Sequence, residues 1–224
     1  MEDIHFGIRL FLEYAEAEVQ PLSRILVAGC GVEGREVIDL AKRGNYEVVG
    51  FDIALKPELH QQRGDNWLLL RADVLDLPFE DASFDAVLYY HVIEHVPNPA
   101  RSLAELARVL RAGGGMFIGT PNRARLVGYL GSNASFQEKI RWNWADWKYR
   151  LRGKFRNEYG AHAGFTETEL DSLLRPYFRE VRWVSRDYLF RKYQHCLPAV
   201  VTRILLWRPL FSRIAPSIYA WTKK

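Results

Sequence analysis

The sequence predicts an α/β protein built on a doubly wound, mostly parallel sheet, and three observations carry that expectation. Short apolar runs, Ile25–Ala28, Tyr46–Phe51, Trp67–Arg71 and Ser83–Tyr90, read as strands buried on both faces. The segment from Glu33 to Lys42 sets Val37, Ile38, Leu40 and Ala41 at helical spacing between the first two of these runs. A glycine-rich bend, Ala28-Gly29-Cys30-Gly31-Val32-Glu33-Gly34, joins the first strand to that helix.

Taken in order, Ile4 to Glu18 reads as an amphipathic helix through Ile4, Ile8, Phe11, Leu12, Ala15 and Val19. It is expected either to cover a cleft or sheet edge, or simply to pack. In the bend, Gly29 and Gly31 lack a Cβ, so they can take positive φ and admit a ligand close to the backbone. The helix start adds unpaired N–H groups and a partial positive charge. After the third strand comes Ala72-Asp73-Val74, and after the fourth His91-Val92-Ile93-Glu94-His95-Val96-Pro97-Asn98-Pro99. A helix is expected from about Ala100 to Leu110, ending in Gly113-Gly114-Gly115. A strand from Met116 to Gly119 and then Thr120-Pro121-Asn122 follow. Thr166-Glu167-Thr168-Glu169 is an N-terminal capping pattern for a helix reaching about Arg175. Phe178 to Val184 and Ser217 to Trp221 read as the last two strands.

Function is legible in the strand ends. Gly29-x-Gly31-x-x-Gly34 fits the dinucleotide pattern, which alone is weak. Asp52 stands 18 residues beyond Gly34, at the end of the second strand, where an acid can accept hydrogen bonds from both ribose hydroxyls. Asp73 ends the third. A glycine bend with acids at two successive strand ends points to an adenosine-containing ligand. The alternative is a turn that only packs helix on strand.

The stretch from Ile25 to Asn122 resembles the class I S-adenosylmethionine-dependent methyltransferases, within them the small-molecule branch that includes ubiquinone-biosynthesis O-methyltransferases. The resemblance implies a Rossmann-like, seven-stranded, mostly parallel sheet whose last strand is antiparallel. It implies S-adenosylmethionine as cofactor, with Gly29, Cys30 and Gly31 along its methionine part, Asp52 and Ile53 at the ribose, Asp73 at the adenine amine, Val74 beside the ring, and His91 near the methionine end. Ala28 stands where the family usually has an acid. Relatives with a metal site carry an acid where this chain has His91, so Glu94 and His95 are not expected to hold a metal.

One unit, residues 1–224, is expected: an N-terminal helix (1–20), a cofactor-binding core (21–122), a basic aromatic insertion or lid after the fifth strand (123–165), and a C-terminal part (166–224) with a long apolar helix at 196–214 before the last strand. Length suits one α/β domain with a full core. Two cysteines, Cys30 and Cys196, are too few to suggest a disulfide framework, and a reducing, cytoplasmic setting is the default expectation. The acidic start Met1-Glu2-Asp3-Ile4-His5 lacks the basic and apolar regions of a signal peptide.

The net charge of +4 conceals a division. Residues 1–122 carry 11 Lys and Arg against 19 Asp and Glu, residues 123–224 carry 20 against 8, and six of the seven Trp lie in the second half. Arg141-Trp142-Asn143-Trp144-Ala145-Asp146-Trp147-Lys148-Tyr149-Arg150 interleaves cations with aromatic rings. That mixture suits an anionic membrane interface or a lipid-like substrate, a lid packed on its own domain, or single-stranded nucleic acid. The stretch from Cys196 to Ile214 has no uncharged run long enough to span a bilayer. An amphipathic helix lying in the interface fits it better, with burial or a dimer contact as the alternative.

The expected reaction is in-line methyl transfer to a small-molecule or lipid-like acceptor, O-methylation favoured, with a peripheral membrane position as the second expectation for its location. An imidazole base would help at a hydroxyl, with His95 and His162 as candidates. Tyr90-His91-Val92-Ile93 replaces the Asn/Asp-Pro-Pro-Tyr pattern that resembles base N-methylation, which disfavours nucleic acid. A nucleic-acid methyltransferase, a nicotinamide oxidoreductase and a non-catalytic nucleotide-binding module are the rival readings.

Overall fold

The computed structural model describes residues 6–129, 134–159, 163–193 and 207–224. Its centre is a seven-stranded sheet in the order β3-β2-β1-β4-β5-β7-β6. The strands are β1 (Arg24–Ala28), β2 (Glu47–Phe51), β3 (Trp67–Leu70), β4 (Phe84–Tyr90), β5 (Leu110–Pro121), β6 (Glu180–Trp183) and β7 (Ser217–Lys223). β1 to β5 pair in parallel, and β7 runs antiparallel to both β5 and β6. This is the fold class expected from the apolar runs and the family resemblance.

Alternation along each strand sends side chains to two opposite layers. Ile25, Val27, Val48, Ala86, Leu88, Phe117 and Trp221 form one core. It is covered by α1 (Phe6–Glu18), α2 (Arg35–Ala41) and α6 (Ser185–Tyr193). Leu26, Ala28, Val49, Val87, Tyr89, Met116 and Ile118 form the other, covered by α3 (Pro99–Val109) and α5 (Glu167–Leu174). α1 therefore lies on a sheet face, with Gly7 against the ring of Tyr90: a Cβ there would come within 2.6 Å of it.

Two boundaries differ from expectation for identifiable reasons. α2 begins at Arg35, because Gly34 precedes it in the left-handed region at φ +62°. β5 begins at Leu110, not Met116, and runs through the three glycines. A Cβ at Gly115 would lie 2.2 Å from the Trp221 ring, so the glycine makes room for the indole of β7. The Thr166/Glu169 capping box forms as expected, both hydrogen bonds present.

The insertion contains α4 (Phe136–Leu151), opened by a second capping box between Ser135 and Glu138. Its anchor is an ion pair. Arg125 is 4% exposed and meets Asp146 at 3.1 Å, while the Tyr129 hydroxyl donates to the other Asp146 oxygen at 3.3 Å. Burial raises the Asp146 carboxyl and Arg125 pulls it back. Of the apolar stretch 196–214, residues 196–206 lie outside the described residues. The described part is α7 (Arg208–Ile214), with Pro209 in its first turn, where a missing N–H costs nothing. No helix among the described residues is long and apolar enough to cross a membrane.

Candidate functional site

Because β1 to β4 are parallel, the residues that follow them share one edge of the sheet. Gly29–Gly31 follow β1, Asp52 follows β2, Asp73 lies just beyond β3 and His91 follows β4. The strand order reverses between β1 and β4, which makes their carboxyl ends the natural crevice for a ligand.

The three glycines of the bend do different work. All take positive φ: +82° at Gly29, +71° at Gly31 and +62° at Gly34. A Cβ at Gly29 would lie 2.2 Å from Val92, and one at Gly34 would lie 2.5 Å from Leu69. Those two permit close packing of the crevice walls. A Cβ at Gly31 would meet nothing within 4 Å, so here the bare backbone faces open space.

The N–H groups of the bend are committed inward. Gly29 and Cys30 both donate to the Phe51 carbonyl, at 2.9 and 3.0 Å. Gly31 donates to Asp52 Oδ2 at 2.8 Å, and Ala54 donates to Asp52 Oδ1 at 2.8 Å. Asp52 is thus fixed against the bend, and each oxygen keeps a lone pair for a further donor. A carboxylate at this mouth favours hydroxyls and cationic groups. Asp73 is exposed; its Oδ1 accepts the Leu75 N–H at 2.9 Å. Val74 is buried in the core beside Phe51, and Ile53 is 61% exposed.

Cys30 faces the other way. Its side chain is buried among the α2 layer, and burial, then the charge of Asp52, pushes its thiol up to about 12. In the folded protein it stays protonated where an unfolded chain ionises, so this thiol removes stability as pH rises above its ordinary value and contributes nothing below it. Alkylation by iodoacetamide at pH 8, followed by mass spectrometry of the Cys30 peptide, is expected to be about a hundredfold slower than in urea. Equal rates would show that the bend does not close over the thiol.

At the end of β4 lies a chain of polar groups whose connection the sequence did not announce. The Thr120 hydroxyl, at the end of β5, donates to Glu94 Oε2 at 3.1 Å, and Glu94 Oε1 lies 3.4 Å from Nδ1 of His91. Thr120 and Glu94 are buried, and His91 is half-buried. His91 is held at φ +56°, its N–H donating to the Gly119 carbonyl at 2.8 Å. Behind it, Tyr90 stacks on Tyr219, and Tyr219 stacks on Tyr188 with ring centres 4.0 Å apart. Glu36, in the first turn of α2, adds another acid near this place. Burial and then Asp39 raise its carboxyl, against the lowering pull of His91.

His95 is exposed and borders a cavity of about 150 Å³ with Arg123, Asn157 and Phe165, on the far side of Glu94 from His91 in sequence. His162 lies outside the described residues. The chain just after it is docked at this edge: Phe165 donates to the Pro121 carbonyl and Arg123 to that of Phe165, both at 3.0 Å. Among the described residues no cluster of three or more His, Cys, Asp or Glu is placed to hold a metal.

Residues 26–118, which include the bend, both acids and His91, match the family model described as "Methyltransferase domain". That stretch of the chain is similar to a methyltransferase domain. The chain is 37% identical over 101 residues to a Mycobacterium tuberculosis protein named "Probable S-adenosylmethionine-dependent methyltransferase", covering 44% of this chain and 36% of that one. It is 36% identical over 121 residues to the ubiquinone biosynthesis O-methyltransferase of Xanthomonas axonopodis, covering 50% and 49%. The chain therefore spans between about a third and a half of these relatives' length. Among solved structures, the YcgJ protein from Bacillus subtilis shares the fold across 98% of both chains, with a TM-score of 0.58 and 16% identity.

Proposed function

We propose that the protein transfers the methyl group of S-adenosylmethionine to a hydroxyl of a small, lipid-like acceptor. One observation carries the reading: the open backbone face of Gly31, clasped by Asp52, lies on the same sheet edge as the Thr120–Glu94–His91 chain. When bound, the cofactor supplies a methyl group on a sulfonium, already activated for displacement.

The residues fit that group. Gly29, Cys30 and Gly31 line it with backbone, and the absent Cβ of Gly31 leaves room for its methionine part. Asp52 accepts from the ribose hydroxyls with the lone pairs that Gly31 and Ala54 leave free, and Ile53 lies beside the sugar. Asp73 receives the adenine amine, with Val74 and its neighbours forming the apolar floor. Glu36 serves the ammonium group in place of the acid that Ala28 does not provide.

For the acceptor, His91 is the base that the geometry best supports. Its Nδ1 faces Glu94, so Nε2 is the atom that takes the hydroxyl proton, and the buried carboxylate stabilises the imidazolium that results. His95 and His162 stand as the second candidates. The remaining contribution is alignment of the acceptor and exclusion of water. The oxygen acceptor is favoured by the likeness to ubiquinone biosynthesis O-methyltransferases.

Two measurements test this. Calorimetry should show saturable binding of S-adenosylmethionine and none of NAD or NADP; nicotinamide binding alone would overturn the cofactor assignment. Incubation with the labelled-methyl cofactor and a cell extract should place label in an organic-soluble small molecule, identified by mass. Label confined to RNA or protein would overturn the acceptor class.

A further inference from the structure

The geometry of α4 points to an anionic lipid surface as the partner of its outward face, an inference that stands independently of the methyl-transfer reading. Phe136, Ile140, Trp144, Trp147 and Leu151 recur at spacings of three and four, so they form one stripe along the helix. The stripe is bare: Phe136 is 78% exposed, Ile140 55% and Trp144 60%. Soluble proteins rarely leave a contiguous stripe of this size uncovered. One flank of the stripe is fixed to the body, through buried Asp146 on Arg125, Arg150 donating to the Arg123 carbonyl at 3.0 Å, and the Trp147 indole N–H donating to the Leu126 carbonyl at 3.2 Å, which leaves Phe136, Ile140, Trp144 and Leu151 outward.

Charge identifies the occupant. Residues 134–159 contain seven Lys and Arg against three acids, one of which, Asp146, is already paired with Arg125. Arg141 and Lys148 are exposed at the border of the stripe, and the Lys148 ammonium lies 5.5 Å from the Trp144 ring centre. Indoles on an apolar stripe with cations alongside match the depth profile of an anionic bilayer, rings at the headgroup boundary and ammonium and guanidinium groups at the phosphates. A second copy of the chain suits the surface poorly, since a two-fold contact would bring two cation-rich surfaces of the same sign together. Between the stripe and Leu126–Gly128 lies an apolar groove of about 570 Å³, room for a lipid tail segment.

Position supports the same occupant. The insertion leaves the sheet at the carboxyl end of β5, the edge that also carries Gly31, Asp52 and His91. A bilayer held by α4 would face the side of the domain at which an acceptor enters.

The test is flotation of the full chain with vesicles of phosphatidylcholine containing about a third phosphatidylglycerol, in low and high salt. The protein is expected to float with the anionic vesicles at low salt, to float much less at high salt, and to stay in solution with phosphatidylcholine alone. The variant I140E/W144E, whose side chains are exposed, is expected to lose at least about tenfold in partitioning. Its affinity for S-adenosylmethionine, measured in parallel by calorimetry, should be unchanged, which separates loss of docking from loss of fold or of the cofactor site. Wild-type protein that stays in solution with anionic vesicles at low salt would overturn the proposal. So would a concentration-dependent dimer that I140E/W144E dissociates, since that outcome assigns the stripe to a second copy.

Discussion

Asp52→Ala is expected to raise the dissociation constant for S-adenosylmethionine by about a hundredfold. Two charge-assisted hydrogen bonds to a ribose are together worth about 3 kcal/mol when the partners are shielded from water, and that energy is two decades in affinity. The substitution has a second effect in the empty protein. Asp52 ties the Gly31 N–H to that of Ala54, so its loss leaves the bend without its brace. A fall in unfolding free energy of about 1–2 kcal/mol should accompany the loss of binding. Asp52→Asn should recover most of the stability and little of the affinity, because an amide oxygen can still accept one backbone bond but carries no charge. Titration calorimetry and a urea melt on the three proteins separate the two effects. Unchanged affinity in Asp52→Ala would remove this residue from the site.

His91→Ala is expected to lower kcat by a factor of about 10² or more while leaving the cofactor dissociation constant within about threefold, as removal of a proton acceptor does. Glu94→Gln should act through His91. It keeps an oxygen within reach of Nδ1 and of the Thr120 hydroxyl but loses the charge that steadies an imidazolium, so turnover should drop by about tenfold with KM little changed. If His91→Ala retains full turnover while His162→Ala or His95→Ala abolishes it, the base belongs to one of those side chains and the Thr120–Glu94–His91 chain is structural.

The core was legible because it is made of local signals. A parallel strand buried on both faces is an unbroken apolar run, as Ile25–Ala28 is; Trp67–Leu70 reads the same way, although β3 is the edge strand and only Leu69 in it is fully buried. The start of β5 was not legible, since glycines ordinarily end a strand; only Trp221, more than a hundred positions away, explains why Gly115 must lack a side chain. The shared edge of the two acids could be read because Asp52 directly follows β2 and Asp73 lies three residues beyond β3. The meeting of His91 with Glu94 and Thr120 could not. His91, Glu94 and Thr120 come together only when β4 and β5 pair, with His91 N–H on the Gly119 carbonyl, and no spacing in the sequence announces that meeting. The composition of α4 was visible as a mixture of cations and indoles, but which indoles face outward depends on the burial of Asp146 against Arg125.

The placement of β7 between β5 and β6 has a consequence for biosynthesis. While the ribosome is still making residues before 217, β5 has one flank open and β6 has nothing to join, although every other strand has emerged. The sheet is therefore completed only when the last of its seven strands has been made. A purified truncation ending before residue 217 should be cut readily by protease around 180–193, whereas the protein with β7 present should resist.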